Sequence, residues 1–184
     1  MASTRAERVA RRVFTWFLKN KVLLIKDNLA KRRWQGCTKC SFCGSFCGSE
    51  GTVEHLFISC PFVKIIWAVI YSTYNIYPPN SIANMFGNWL MGVDKLTKAR
   101  IRIGVSAICW SIWNCRNNII FNRSKNIHIL QVINMAVHWI QLWAHLLPPD
   151  QRDLMVSGCS RLVMVAQDIF SRVSWQHINR IRDA

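Results

Sequence analysis

A dense cluster of side chains that can bind a metal lies in the first third of the chain. Residues 37 to 60 contain five thiols and one imidazole, at Cys37, Cys40, Cys43, Cys47, His55 and Cys60. Zinc prefers four sulfur and nitrogen ligands in a tetrahedron, and two thiols separated by two residues can turn toward one ion. We therefore predict a zinc site in this segment, with Cys40 and Cys43 as one pair of ligands and His55 and Cys60 as the other.

A tandem duplication leaves two choices of ligands open. A Ser-Phe-Cys-Gly unit ends at Gly44 and is repeated immediately afterwards, which supplies one thiol more than four ligands require. The use of Cys40 and Cys43 keeps the tight pair, whereas the use of Cys43 and Cys47 shortens the loop to the histidine and widens the pair. We favour Cys40 and Cys43, and this choice leaves Cys37 and Cys47 as spare thiols.

The cysteine pattern also has two interpretations without a metal. A disulfide framework is disfavoured because no apolar signal segment precedes the cluster and four cysteines crowd into residues 37 to 47. A degenerate copy whose thiols bind nothing stays open, because spacing alone gives false positives. The other three cysteines, Cys109, Cys115 and Cys159, lie far apart, and we expect them to be buried free thiols.

Catalysis by this chain is not expected. Polymerase and ribonuclease H chemistry both need clustered carboxylates for two magnesium ions, and the chain has nine acidic residues with no adjacent acidic pair. A zinc deaminase would use Glu54 beside His55, but it would also need a histidine or cysteine at the position of Thr52. Four protein ligands would in addition leave no open coordination position on the zinc. A thiol protease is disfavoured because no cysteine and histidine pair stands out.

The charge of the chain favours a polyanionic partner. Its 24 Lys and Arg against nine Asp and Glu give a formal net charge of +15, which predicts salt-dependent attraction to nucleic acid. Candidate binding residues surround the cysteine cluster and are Lys31, Arg32, Arg33, Trp34 and Lys39. The cations would contact phosphates while Trp34, with Phe42 or Phe46, stacks on unpaired bases, so we predict binding of RNA or single-stranded DNA. The alternative is a solvated helix face, with Trp34 filling the core.

The rest of the chain is predicted to be mainly α-helical. A hydrophobic fraction of 51%, with nine Trp and nine Phe, predicts a buried core. No stretch alternates like a long strand, so we expect a helical fold with a small irregular zinc knuckle of the CCHC type near the N-terminal third. The predicted division is a basic helical lead-in at 1–34, the knuckle and following helix at 35–75, a helical core at 76–147, and a C-terminal helix and basic tail at 148–184.

Three helix starts and two apolar faces follow from the sequence. We predict Pro61 as the first residue of one helix, Asp94 as the cap of the longest and Asp150 as the cap of the last. The longest helix should place six residues on one buried face: Ile101, Val105, Ile108, Ile112, Cys115 and Ile119. The last should use Leu154, Met155, Leu162, Val165, Ile169 and Val173. A second basic patch, of Lys95, Lys98, Arg100 and Arg102, opens the longest helix.

The 24 residues between Lys125 and Asp150 carry no formal charge and raise the question of a membrane span. Six polar residues recur there at steps of three and four: His128, Gln131, Asn134, His138, Gln141 and His145. One polar stripe on an apolar helix indicates an amphipathic helix of a folded domain, with binding at a membrane surface as the alternative. His138 and His145 lie two turns apart, too far to share one ion. The Arg-rich first 12 residues resemble an organelle transit peptide, although a basic helix of the domain is favoured.

Several motifs, in order, resemble the zinc-binding region of the reverse transcriptases of plant non-LTR (LINE-type) retrotransposons. They are CTKCSFCG, then TVEHLFISCPF with Trp67 shortly after, preceded by FLKNKVLLIKDNLAKRRW. The downstream CWSIWNCRNNIIF is similar to the stretch between that region and a following ribonuclease H domain. The resemblance covers residues 13 to about 123.

The resemblance implies a CCHC zinc module from the C-terminal side of a polymerase, which helps to hold RNA or target DNA. It implies Cys40, Cys43, His55 and Cys60 as the zinc ligands. Because the polymerase carboxylates are missing, the chain would be a fragment or a free-standing descendant. The alternative is a degenerate retroelement remnant that acts as a structural or protein-interaction domain, with other retroelement proteins as partners. A nuclear location is expected from the nucleic-acid partner, with the cytoplasm as the alternative.

Overall fold

The computed structural model describes residues 2–43, 48–121, 123 and 127–172. The described part is mainly helical, as predicted, and its only pairing of strand type is an isolated antiparallel bridge between Lys39 and Glu50. Seven α-helices and one π-helical turn follow in chain order: α1 Ala2–Lys19, α2 Lys26–Ala30, the π-helical turn His55–Ser59, α3 Pro61–Tyr74, α4 Ile82–Phe86, α5 Lys95–Ile120, α6 Ile129–Ala144 and α7 Pro149–Arg172.

Two of the three predicted helix starts are confirmed. Pro61 is the first residue of α3, where its missing N–H costs nothing. The Asp94 carboxylate caps α5 by accepting hydrogen bonds from the amides of Leu96 and Thr97. The prediction for Asp150 is wrong because α7 already begins at Pro149, a residue whose fixed φ suits a first helical position. Asp150 therefore lies inside the first turn.

The helices α5, α6 and α7 form the largest packed unit. The ring centroids of Trp110 on α5 and Trp139 on α6 lie 6.0 Å apart, and the Cys115 Sγ lies 3.4 Å from the Met135 Sδ. As the residue number rises on one helix it falls on the other, so α5 and α6 are antiparallel. Helix α3 packs on α7, and α1 packs on α4 and α5.

The buried surface of α5 is wider than the single face predicted for it. Ile108, Ile112 and Cys115 are buried as expected, while the other three predicted residues are only half-buried. The helix also buries Ser111 and Arg116, which no apolar pattern indicates. The reason is that α5 contacts α1, α6 and α7, and so has neighbours on several sides.

The polar stripe of α6 is confirmed. Five of its six residues are exposed, and the sixth, His128, caps the helix by accepting a hydrogen bond from the Leu130 amide. Among the described residues, no helix combines the length and the apolar character that crossing a bilayer requires.

The apolar side of α7 is confirmed in part. Leu162 is fully buried, and three other predicted residues pack half-buried against the core. The prediction for Leu154 is wrong, because this side chain is 56% exposed and lines a cavity. Val173 lies outside the described residues. The three dispersed cysteines are buried free thiols, as expected.

Candidate metal centre

A short backbone pairing closes the loop that carries the first two cysteines. The Cys40 amide donates a hydrogen bond to the Ser49 carbonyl oxygen at 3.1 Å, and the Gly51 amide donates to that of Thr38 at 2.8 Å. The chain therefore leaves and returns at the same place, so Cys40 is held close to the segment that leads to the second pair of ligands.

The π-helical turn positions the second pair. The Cys60 amide donates to the His55 carbonyl oxygen at 2.8 Å, five residues back, and the Thr52 hydroxyl accepts from the His55 amide at 3.0 Å. Helix α3 then starts at Pro61. Such wide turns are rare and occur often at functional sites. Here the turn brings the imidazole and the thiol into one buried cluster.

Contacts from other elements hold this turn in place. The Trp67 indole N–H on α3 donates to the Phe57 carbonyl oxygen at 3.0 Å. Glu54 forms an ion pair with Lys21 at 2.7 Å, and its second oxygen accepts from the Ile82 amide at 3.0 Å. These contacts give Glu54 a structural role between the first helices, the turn and α4, in place of the proton transfer of a deaminase.

The four predicted ligand atoms converge on one point. They all lie within 4.8 Å of one another, and all four residues are buried. The sulfurs of Cys40 and Cys60 are 3.9 Å apart, and the Cys43 Sγ is 3.3 Å from the His55 Nε2. Usual zinc bond lengths give tetrahedral edges of about 3.8 Å between two sulfurs and about 3.5 Å between sulfur and nitrogen. Three cysteine sulfurs and one imidazole at these distances fit a structural zinc ion once the disulfide of Cys43 is reduced.

The imidazole is oriented by a residue that sequence reasoning missed. The His55 Nδ1 lies 3.4 Å from the Ser59 hydroxyl, one turn further along, while the Nε2 faces Cys43. A histidine that binds a metal through one nitrogen usually hydrogen-bonds through the other, which fixes the ring. Ser59 is positioned to make that second hydrogen bond. Its spacing of four residues from His55 is the only feature of the sequence that could have predicted this contact.

The Cys40 and Cys60 sulfurs form a hydrogen bond. The hydrogen bond from Cys60, with smaller contributions from the Cys43 and Phe42 amides, lowers the pKa of Cys40 to about 5. The same hydrogen bond, together with burial, raises the pKa of Cys60. The pair therefore carries one negative charge at neutral pH, and a divalent cation can replace the remaining proton.

The segment that contains this cluster matches a known protein family. Residues 5–67 match the family model described as zinc-binding in reverse transcriptase. The matched segment contains all four clustered residues and the basic residues before them, and it leaves residues 68–184 outside the match. That family is a zinc-binding accessory region and not a catalytic one. Comparison with curated proteins and with solved structures finds no match.

Cys37 and Cys43 of the matched segment differ in oxidation state. Cys37 is an exposed free thiol and does not take part in the cluster. Cys43 is disulfide-bonded in this structure, so a metal can bind its sulfur only after that bond is reduced. Cys47 lies outside the described residues, so the alternative choice of ligands stays a prediction.

A buried arginine from α5 faces the matched segment. Arg116 is 5% exposed; its Nη1 donates to the Leu24 carbonyl oxygen and the Asn117 side chain, and its Nη2 has no hydrogen-bond partner. Among the described residues no carboxylate lies within 4 Å of it. Burial lowers the pKa of Arg116 to about 10, and attraction to Cys40 opposes that change. A zinc ion with three thiolates carries a net charge of −1, which this cation can balance.

The predicted nucleic-acid residues lie on the surface. Lys31, Arg32, Arg33, Trp34 and Lys39 are all exposed; the first four follow α2 directly, and Lys39 lies in the backbone pairing beside Cys40. Lys31 lies 3.8 Å from the Asp27 carboxylate, and the Lys39 ammonium donates to the Gly48 carbonyl oxygen at 2.7 Å. Arg32 and Arg33 form no ion pair among the described residues, so their charges face solvent.

Trp34 and Phe42, two of the aromatic residues predicted to stack on bases, differ in exposure. Trp34 is 42% exposed, so it does not fill the core. Its ring lies against Gly36, where a Cβ atom would come within 1.9 Å of the indole, so a larger residue there would displace the ring. Phe42 is half-buried and stacks on Phe62, with 4.6 Å between ring centroids, so that one face of its ring is covered. Phe46 lies outside the described residues.

Proposed function

We propose that this chain is a non-catalytic zinc-binding module of retroelement origin that binds RNA or single-stranded DNA. Cys40, Cys43, His55 and Cys60 hold one zinc ion, which supplies a cross-link and not a reaction centre. The convergence of the four buried donor atoms within 4.8 Å supports this proposal most strongly. Four protein ligands fill a zinc ion, as structural sites do.

The zinc ion orders a segment that has little else to order it. Between Thr38 and Gly51, the buried described residues are Cys40, Cys43 and Gly51 alone. A loop with so little buried apolar area gains stability from a cross-link between its two ends and the π-helical turn. The basic residues just before the loop are then held beside it.

Single-stranded nucleic acid fits the chemistry of this surface. Arg32 and Arg33 present charges without ion pairs next to an exposed indole, and the whole chain carries a formal charge of +15. Cations that follow a backbone and an aromatic ring that stacks on a base are the usual components of single-strand binding. Lys31, Lys39 and Trp34 complete the proposed site.

Gel shifts with a labelled single strand across a salt series test this site. The double variant Arg32→Glu, Arg33→Glu should weaken binding at least tenfold and flatten the salt slope by about 1.4, the value for two phosphate contacts. The control, Lys64→Glu with Arg161→Glu, changes the net charge equally at two exposed positions on other helices. Equal losses of affinity in both double variants would indicate only non-specific electrostatic attraction and would contradict the proposed site.

The source and location of the module belong to the same proposal. We infer a plant LINE-type element as the source because CWSIWNCRNNIIF follows the zinc region in the expected order. Nuclear accumulation is expected because target DNA lies there, and imaging of a fluorescently tagged chain checks it. A purely cytoplasmic signal would contradict that location.

The second candidate is a retroelement remnant that serves as a protein-interaction domain, possible partners being other retroelement proteins. It is favoured by the outward face of α1, where Val9, Val13 and Trp16 follow at steps of four and three and are exposed. The helix is anchored on its other side by buried Phe14 and Leu18. Exposed apolar residues in a row are typical of protein interfaces. Lack of single-strand affinity at moderate salt would favour this candidate.

A further inference from the structure

We propose that a cavity in the helical body binds a carboxylate amphiphile, a ligand with one carboxylate on a hydrocarbon chain. The cavity has a volume of about 340 Å³ and is bounded by α3, α5, α6 and α7. Its lining residues fall between 70 and 162 and so lie outside the matched segment. The inference does not depend on the zinc ion or on nucleic acid.

The walls of the cavity are apolar and come from four helices. They include Ile70, Ile101, Ile108, Ile140, Met155 and Leu162. Along α5 the lining residues run from Thr97 to Ile108 on one helical face, which corresponds to a length of about 16 Å at the usual rise per residue. The volume lies within the range of small-molecule sites. An elongated apolar space suits a hydrocarbon chain.

One end of the cavity contains a cation. Arg100 is the only cation among the lining residues, and its Nη2 donates to the Thr97 hydroxyl at 2.8 Å. A hydrogen bond from the Gln151 side chain lowers the pKa of Asp150, and one from the Thr97 amide lowers that of Asp94; attraction to Arg100 adds to both shifts. Neither carboxylate forms an ion pair with Arg100 within 4 Å. A single guanidinium matches a single carboxylate, which it can hold through two parallel hydrogen bonds.

Two glycines shape the space. At Gly158 a Cβ atom would lie 3.3 Å from the Tyr74 ring, whose hydroxyl donates to the Gly158 carbonyl oxygen at 2.8 Å. This close contact joins α3 to α7 and closes one side. At Gly104 a Cβ atom would meet only the Met155 Cε, at 3.6 Å. A methyl group added there fits without a clash and takes its volume from the cavity.

Calorimetric titration of the purified full chain with dodecanoate tests the inference. We expect one binding event per chain and roughly tenfold weaker binding of decanoate, which has two fewer methylene groups to bury. Arg100→Gln should weaken dodecanoate binding about tenfold or more, because a charge-assisted pair is lost. The matched control Lys95→Gln removes an equal charge from an exposed position on the same helix and should leave affinity unchanged.

A cavity variant separates a site from surface attraction. Gly104→Ala should weaken dodecanoate binding several-fold while the melting temperature stays the same or rises, since alanine favours a helix. Equal losses in Arg100→Gln and Lys95→Gln, or binding that Gly104→Ala leaves unchanged, would show attraction to the basic surface and overturn the inference. Lack of heat or of chemical-shift changes at the cavity methyl groups would also overturn it.

Discussion

Replacement of Cys60 by serine removes one of the four proposed zinc ligands. The Cys60 sulfur is fully buried, lies 3.9 Å from the Cys40 sulfur and is fixed by the backbone of the π-helical turn. Serine keeps the backbone and nearly the same volume, but its hydroxyl is a poor zinc ligand. The variant therefore tests coordination with little disturbance of packing.

The expected magnitude follows from the number of ligands. Structural zinc sites in small domains bind with about 10–16 kcal/mol, so one ligand in four accounts for about 2.5–4 kcal/mol, or roughly 70- to 900-fold in affinity. At a zinc concentration 1,000 times the dissociation constant, zinc stabilises the folded chain by about 4.1 kcal/mol. Most of that stabilisation should be lost in Cys60→Ser. For a chain of this length the loss corresponds to a fall of roughly 6–12 °C in melting temperature.

Two measurements on reduced, purified protein check the prediction. At a free zinc concentration about ten times the wild-type dissociation constant, native mass spectrometry should find one zinc ion in most wild-type chains and in few Cys60→Ser chains. At the higher zinc concentration, thermal unfolding with and without a chelator should give a much larger difference for the wild type than for the variant. The control is Cys37→Ser, an exposed thiol outside the cluster, which should behave as the wild type does.

The reasoning would be refuted if Cys60→Ser kept one zinc ion at wild-type melting temperature. It would also be refuted if Cys37→Ser, and not Cys60→Ser, lost the metal. Zinc that remains bound in both single variants would indicate a different set of ligands.

Two further predictions concern the surroundings of the centre, and a third concerns the contact between α3 and α7. Arg116→Gln should lower zinc affinity about 10- to 100-fold in a chelator competition assay, the usual effect of losing a residue that supports the ligands from outside. The control Arg102→Gln, at an exposed position, should leave zinc affinity unchanged. Equal zinc affinities in the two variants would contradict charge compensation. Trp67→Phe leaves the buried Phe57 carbonyl unpaired and should cost about 1–3 kcal/mol in urea unfolding, and no loss would show that this bond does not hold the turn. Burial raises the pKa of Tyr74 to about 12 from its usual 10.0. The protonated Tyr74 hydroxyl therefore contributes fully to stability below pH 10, and this contribution is lost as the pH rises toward 12. The free energy of unfolding of Tyr74→Phe should fall less over that interval than that of the wild type, and parallel curves of stability against pH would contradict this.

The features that were predictable from the sequence depend on neighbours along the chain. A capping carboxylate such as Asp94 acts on amides two and three residues away, and Pro61 sets its own φ. The polar stripe of α6 follows from helical geometry alone. The four clustered residues also belong to this class, because each pair of ligands lies within one short segment.

The features that were missed depend on contacts between distant segments. Arg116 reads as an interruption of an apolar face, and only the packing of α5 against residues near Leu24 makes it a buried cation. Deaminase chemistry for Glu54 was already disfavoured by the sequence, but its contacts with Lys21 and the Ile82 amide could not be predicted because they join distant segments. Asp150 was assigned as a cap because two prolines precede it, and the second of them already begins the helix.

The central claim is that three sulfurs and one nitrogen hold a single zinc ion. Zinc K-edge X-ray absorption on the reduced, zinc-loaded chain tests it most directly, since it counts the ligand atoms and measures their distances. The account predicts three sulfurs at about 2.3 Å and one nitrogen at about 2.0 Å. A shell of four sulfurs, or one dominated by oxygen, would contradict it.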